Sequence, residues 1–406
     1  MSTIDTEPLF LPVIRDFLFL CDQWTARTLE KNTFLCFSTD KEIVYHPFAN
    51  DFGPYNLANL SEFMSILHHT IKVRRGRRVV YTVPGSPRSL TNGVFLLGSY
   101  MIIELGYTAD EVSLSFGSIE SKLEMYRDAQ SCTADFRLEV VDCWRGLERA
   151  NHLGWIEAVD LEEYSHYSSP IEGDLHTLIP DKLIAFRGPV QLPDNREYAD
   201  VGGVRFFAPS FYVQPFVDMG VTTVIRLNSR PYDTAPFEAA GIRCVHIDLD
   251  EGSIPSPSLV LAFLDAVGKA EGTVAVHCKE GLGRTGTMAA AHLMAAHGFR
   301  AREAIGWIRV MRPGSIVGEQ QQFLCRLGEA LELRAGRGGS AGVIEAVRSM
   351  LEPAPGPPLT RAASLCRGSP GTADLACQAA ASPRCASEEP PSERPRRDRK
   401  RPQSGF

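Results

Sequence analysis

The sequence predicts an α/β protein made of two tandem copies of one domain, joined by a linker and followed by a disordered C-terminal tail. Three observations predict it. Short apolar runs of strand character alternate along the chain with stretches of helical length, the pattern of an α/β sheet. "VVYTVPGSPRSL" (Val79 to Leu90) lies over "AVHCKEGLGRTG" (Ala275 to Gly286) without a gap, and self-similarity at matching places points to a duplication. After about Arg334 the composition shifts to Gly, Ala, Ser and Pro, which cannot bury enough apolar surface to fold. A chain of 406 residues, 44% hydrophobic and 22% charged, has room for two or three domains of ordinary globular composition.

The first copy is expected over residues 8–162. Its longest apolar run, "GVFLLGSYMII" (Gly93 to Ile103), is too short to span a bilayer, and "LFLPVIRDFLFL" (Leu9 to Leu20) is broken by Pro, Arg and Asp. "ELGYTADEV" (Glu104 to Val112) echoes "AHGFRAREA" (Ala296 to Ala304). "EEYSHYSSPIEGD" (Glu162 to Asp174) has no core periodicity and reads as part of a linker over 163–176. The second copy, 177–334, restarts with "IPDKLIAFRGP" (Ile179 to Pro189) and continues through "VTTVIRLNS" (Val221 to Ser229) and "IRCVHIDLD" (Ile242 to Asp250). "GTVAV" (Gly272 to Val276) is a short buried strand, and "MAAAHLMAAHG" (Met288 to Gly298) an apolar helix closed by glycine. The tail takes 335–406, with one short helix expected at 344–351.

Composition excludes several classes. Ten cysteines without a CxxC pair indicate neither a zinc site nor a disulfide framework, so no metal and no cofactor is expected. A net charge of −7 leaves no nucleic-acid footprint. The N-terminus lacks a basic region and cleavage signal, and a soluble intracellular protein in a reducing compartment is expected, with no membrane partner.

The turn between the last strand and helix carries the chemistry. "VHCKEGLGRTGT" (Val276 to Thr287) sets a thiol, glycines and an arginine in one strand-to-helix loop. Glycines let successive N–H groups converge at a helix N-terminus, an arrangement that binds phosphate. Cys278 faces the same donors, and a thiol of ordinary pKa ~8.5 is lowered by such surroundings toward thiolate at neutral pH. Arg284 can hold two phosphate oxygens with its planar fork, which a lysine cannot. Lys279, Glu280, Gly281, Leu282 and Gly283 complete the loop. Nucleophile, amide cradle and clamp suit phosphoryl transfer to sulfur.

His277-Cys278-x-x-Gly281-x-x-Arg284-Thr285 matches the HCxxGxxR[ST] signature of protein tyrosine and dual-specificity phosphatases. Together with "DLDEGSIPSP" (Asp248 to Pro257), "AIGWIRVMRPGSIVGEQQQFL" (Ala304 to Leu324) and "DFGPYNLANL" (Asp51 to Leu60), the chain resembles the cell-division-cycle-fourteen phosphatases over roughly residues 8 to 334. The resemblance implies two tandem dual-specificity-phosphatase-like domains and a phosphocysteine formed on Cys278, with the Thr285 hydroxyl helping the thiolate leave. It implies substrates phosphorylated before proline by cyclin-dependent kinases, with phosphotyrosine and phosphothreonine also accepted. His277 is expected as a hydrogen-bonded brace. In the first copy Thr82 stands where Cys278 would be, and Pro84 and Pro87 remove N–H donors. That copy is expected to be catalytically degenerate, with Arg88 in a surface salt bridge and the domain forming a wall of the substrate groove.

The general acid is left between two neighbours. The register of "LDEGS" points to Glu251, which is favoured, and the family's chemistry points to Asp250; Asp248 reads as a loop cap. Glu280 departs from the small residue of relatives and is expected to turn outward toward Lys279. From the run Gln320-Gln321-Gln322, Gln321 or Gln322 is expected to help position the hydrolytic water. Laid over the family's acidic linker, Ser165 and Ser168 replace two carboxylates and Asp174 retains the third, which softens selection of a basic residue downstream of the phosphoserine. A phosphoprotein-binding scaffold and a phosphoinositide phosphatase are the competing readings; Lys279 offset by Glu280 disfavours the latter. "RPRRDRKRP" (Arg394 to Pro402) sets six basic residues around one aspartate, so Arg394–Arg401 are expected to engage a nuclear import receptor. Ser369-Pro370 and Ser382-Pro383 are kinase-compatible. The resemblance implies nucleus and cytoplasm, including nucleolus, spindle pole or centrosome.

Overall fold

The computed structural model describes residues 8–129, 136–229, 232–333, 344, 345 and 347. The expected tail, its Ser-Pro sites and the basic cluster at 394–402 otherwise lie outside the described residues, as does most of the expected helix at 344–351.

The first half runs β1 (Phe10–Ile14), β2 (Leu18–Asp22), α1 (Gln23–Ala26), β3 (Phe34–Phe37), α2 (Leu57–Val73), β4 (Arg78–Val83), α3 (Pro87–Leu105), α4 (Ala109–Phe116), α5 (Val140–His152) and α6 (Trp155–Ala158). After α7 (Leu161–Ser168) the second half runs β5 (Leu175–Ile179), β6 (Leu183–Phe186), β7 (Tyr198–Val201), β8 (Val204–Phe207), α8 (Pro209–Asp218), β9 (Val221–Arg226), α9 (Ala235–Ala239), β10 (Arg243–His246), α10 (Pro257–Lys269), β11 (Thr273–His277), α11 (Gly283–His297), α12 (Ala301–Met311) and α13 (Glu319–Glu332). The α/β class is as the alternating pattern predicts.

The two sheets share one plan. The first has the order β1-β2-β4-β3 and the second β10-β9-β11-β6-β5. In each, an antiparallel edge hairpin (β1-β2, β5-β6) leads into a strand parallel to the inner strand that feeds the loop. Tyr81 on β4 sits opposite Leu20 and Phe37, and His277 on β11 opposite Phe186 and Arg226. The ungapped overlay of Tyr81 on His277 therefore matches strand for strand. In the first loop Thr82 donates to the Phe37 carbonyl at 3.0 Å, and Arg88 pairs with Glu124 at 2.9 Å on the surface.

The halves share a core. Apolar side chains from α3 and α5 (Phe95, Trp144, Leu147) belong to the same buried cluster as Ile305, Trp307 and Ile308 of α12. Helices α5 and α12 meet at a pair of glycines. A Cβ on Gly146 would lie 2.4 Å from the Glu303 carbonyl oxygen, and one on Gly306 would lie 2.8 Å from the Asp142 carbonyl oxygen. Small residues at both places allow the backbones to touch. Arg302 pairs with Asp142 at 2.8 Å across the same seam.

The stretch expected as a linker, 163–176, is folded at both ends, by α7 and by β5. Asp160 caps α7, and buried Tyr164 donates from its hydroxyl to the Met311 carbonyl at 2.6 Å. Strand β5 begins at Leu175. One buried aromatic in eight residues leaves no periodicity to read, yet it anchors the helix.

Gly306→Val should force α5 and α12 apart against backbone atoms, at a cost of about 1–3 kcal/mol. A lowered thermal midpoint checks this, whereas an unchanged midpoint would show that the seam can give.

Candidate active site

The loop between β11 and α11 is built by opposed requirements on its peptide groups. Gly281 has φ +69°, and a Cβ there would lie 2.1 Å from the Phe186 carbonyl oxygen, so only glycine fits. Each carbonyl from 278 to 282 has a donor. Cys278 O accepts from His277 Nδ1 (2.8 Å), Lys279 O from the Gly188 amide (3.0 Å), and Glu280 O and Gly281 O from Arg312 (2.9 and 2.8 Å). Leu282 O accepts from the Gly286 amide at 2.9 Å. The backbone N–H groups of residues 279–283 meet no acceptor among the described residues. A run of unpaired amides at the start of a long helix is an anion cradle.

Cys278 is 3% exposed at the base of that cradle. Arg284, 7% exposed, donates to the Leu249 carbonyl at 2.8 Å and so ties the loop that carries Asp250 and Glu251 to the cradle. Thr285 is fully buried and its hydroxyl has no hydrogen-bond partner among the described residues. His277 is the brace that the sequence reading expects. Its Nδ1 faces the Cys278 carbonyl, which can only accept, so the hydrogen-bond network assigns the proton to Nδ1 and lets Nε2 accept from Tyr232 Oη at 2.7 Å. Burial pushes His277 down to about 3, and the ring is neutral.

The remaining expected residues divide. Glu251 is exposed and lies 3.5 Å from Lys279 Nζ, beside the residue that follows the nucleophile. Asp250 is also exposed; its carbonyl accepts from the Ser253 amide and hydroxyl. Glu280 does turn outward, but its partner is Arg187 at 2.5 Å, not Lys279. Asp174 lies between Arg187 (2.9 Å) and Arg312 (2.9 Å), its side chain mostly buried.

The three glutamines face different partners. Gln321 is buried and bonded to Arg309 (2.8 Å) and to Asp128 of the first half (3.1 Å). Asp128 also accepts from the Gly318 amide at 2.5 Å, fixing the start of α13. Gln322 holds a buried Oε1 without a partner. Gln320 is the side chain at the cradle: its Oε1 is 3.0 Å from where a Cβ on Gly283 would lie, and its Nε2 donates to the Ser253 carbonyl, in the loop that carries Asp250 and Glu251, at 3.3 Å. Sequence reasoning missed Gln320, Arg187 and Arg312. Helical phase from the glycine at 318 could have separated the three glutamines; nothing local marks the two arginines. Among the described residues no group of His, Cys, Asp and Glu could hold a metal ion.

Comparisons with known proteins fit this geometry. Residues 12–150 match the family model described as the N-terminal half of dual specificity protein phosphatases, and residues 212–325 match a DSP-PTPase phosphatase domain of the Swiss Army Knife type. The chain is 37% identical over 294 residues to the human dual specificity protein phosphatase CDC14C, covering 71% of this chain and 64% of that protein. It is 36% identical over 308 residues to the Caenorhabditis elegans tyrosine-protein phosphatase cdc-14, covering 73% of this chain and 42% of the relative. The Schizosaccharomyces pombe CDC14 homolog matches at 33% over 297 residues, 71% and 55% of the two chains. The chain thus spans between 42% and 64% of the length of these relatives.

Protonation provides a test of the neutral buried histidines. His277 is pushed to about 3 and His292 to about 4, and His176 also falls well below its ordinary value, each chiefly through burial. Above pH ~6.5 both folded and unfolded forms hold these rings neutral, so they add no pH dependence. Below it the unfolded chain takes up protons that the folded chain refuses, and stability falls by up to ~1.4 kcal/mol per pH unit for each ring. Thermal midpoints should therefore drop from pH 6.5 toward 4, and His277→Asn should flatten the slope. A slope unaltered by that change would mean His277 titrates normally.

Proposed function

The chain belongs to the CDC14 family of dual specificity phosphatases, and from that premise we propose that it is a cysteine-dependent protein phosphatase acting on phosphoserine before proline, and on phosphothreonine and phosphotyrosine. Its substrates are proteins phosphorylated by cyclin-dependent kinases. The observation that carries the reading is the loop whose five carbonyls are all bonded outward above Cys278 and Arg284.

The chemistry follows from the geometry. The Cys278 thiolate attacks phosphorus, the inward amides and Arg284 hold the equatorial oxygens, and the P–O bond to the substrate breaks. The departing serine alkoxide takes a proton from the acid loop, by register from Glu251. Water, oriented by Gln320 between the cradle and that loop, then attacks the phosphocysteine and gives its proton back to the same carboxylate. Phosphate leaves and the thiolate returns, a step in which the resemblance gives the Thr285 hydroxyl the role of helping the thiolate leave. No metal or cofactor is needed for either step.

The first half supplies no nucleophile, because Thr82 replaces the cysteine and its hydroxyl is bonded to Phe37. It forms a wall instead. Phe48 sits 3.3 Å from where a Cβ on Gly314 would lie, and Leu282 of the cradle is 3.7 Å from the same point. That apolar edge suits the proline after the phosphoserine.

Turnover of a pSer-Pro peptide and of an activated aryl phosphate should vanish in Cys278→Ser; retained turnover would remove the phosphocysteine mechanism. Glu251→Gln should slow the peptide by ~10²–10⁴-fold and leave the aryl phosphate nearly untouched, because a good leaving group needs no proton. If Asp250→Asn gives that pattern instead, the acid is Asp250.

Selection of a downstream basic residue should be weak. Ser165 is exposed on α7, Ser168 lies on the same helix and Asp174 is engaged by two arginines. Replacing the downstream Lys of a peptide by Ala should cost less than about tenfold, the scale of exposed ion pairs. A loss of about a hundredfold would show that other carboxylates build the groove.

A further inference from the structure

We propose that Arg312 is a positioning residue for the phosphate-binding loop, and that Asp174, with the Arg187–Glu280 pair, serves to hold it rather than to meet a basic residue of the substrate. The proposal rests on the reading of the loop as a phosphate site.

Arg312 is 1% exposed and makes four hydrogen bonds and an ion pair. Nε goes to Gly281 O (2.8 Å), one terminal nitrogen to Glu280 O (2.9 Å) and Asp174 Oδ1 (2.9 Å), the other to Asp174 O (3.0 Å) and His176 Nδ1 (2.5 Å). Each of the three guanidinium nitrogens is thus engaged. His176 can accept because burial, followed by the Arg312 charge, holds the ring neutral.

In a trans peptide the carbonyl and the next N–H point in opposite directions. Drawing Glu280 O and Gly281 O onto Arg312 therefore turns the amides of Gly281 and Leu282 to the far side, where they meet no described acceptor. Two carbonyls held by one rigid fork fix two of the cradle donors together. Lysine would keep the charge and lose that geometry.

Charge closes the arrangement. Asp174 faces Arg312 and Arg187, and Arg187 faces Glu280. Two cations and two anions leave no net charge, so the loop tolerates Glu280 beside a phosphate dianion. Asp174 has φ +47°, a conformation that Asp and Asn adopt more readily than other side chains.

The test uses the full chain. Arg312→Lys should lower kcat/KM for an aryl phosphate by on the order of 10²-fold, and weaken tungstate protection of Cys278 against iodoacetamide by a similar factor. It should also raise the pH midpoint of that alkylation, since fewer amides face the thiolate. Protection and alkylation need no turnover, so they read the brace even if the chain proves not to be a phosphatase. If only the thermal midpoint falls, while tungstate protection and the alkylation midpoint stay at wild-type values, the role is structural and the proposal fails.

Asp174→Asn keeps the backbone and an acceptor should Arg312→Lys not fold. A brace lowers kcat/KM by one common factor, about tenfold to a hundredfold, on the aryl phosphate and on peptides with Lys or Ala downstream. A loss confined to the Lys peptide, or no loss, would make Asp174 a groove carboxylate or a bystander and overturn the proposal.

Discussion

A loop that points its amides at an anion must turn its carbonyls away, and buried carbonyls without donors are costly. From Cys278 to Leu282 every carbonyl is met from outside: by a histidine, a glycine amide of the β6–β7 connection, a buried arginine twice, and the first turn of α11. Much of the second half serves those five contacts. Strand β6 brings Phe186 and Gly188 beside the loop, and the end of α12 delivers Arg312. Segment 174–176 pins that arginine in turn.

The two halves are consequently one machine rather than two beads. The glycine seam between α5 and α12 lets a single apolar cluster run through both. Asp128 of the first half accepts from the Gly318 amide and Gln321, holding the start of the helix whose neighbouring Gln320 touches both cradle and acid loop. Tyr164, in the stretch between the halves, bonds the carbonyl of Met311, one residue before the arginine that braces the loop. Removing the first half would unsettle the second half's own site.

The likeness of the two halves makes physical sense in this frame. They share strand order, register and the turn into a long helix, features that support a core. They differ in the loop, where the first half has Thr82 in place of a thiol and two prolines, Pro84 and Pro87, without an N–H. Its Arg88 pairs with Glu124 at the surface.

Cys278, the glycines, Arg284 and the strand–loop–helix around them were legible in the sequence because they act within a dozen residues, where backbone conformation and side-chain chemistry are local. The likeness of the two halves was legible for the same reason, since short strands and turns recur in the same order. Partners across the chain were not. Asp174 and Arg312 lie 138 residues apart and Asp128 and Gln321 lie 193 apart, and no local pattern states which way each side chain points. Glu280 toward Arg187 rather than Lys279, and Gln320 rather than its neighbours at the cradle, were decided by helix phase and packing. The sequence by itself determined the fold class and the cysteine-bearing loop; the tertiary structure alone decided which charges surround the loop, because an ion pair across a core exists only once the backbone has brought its ends together.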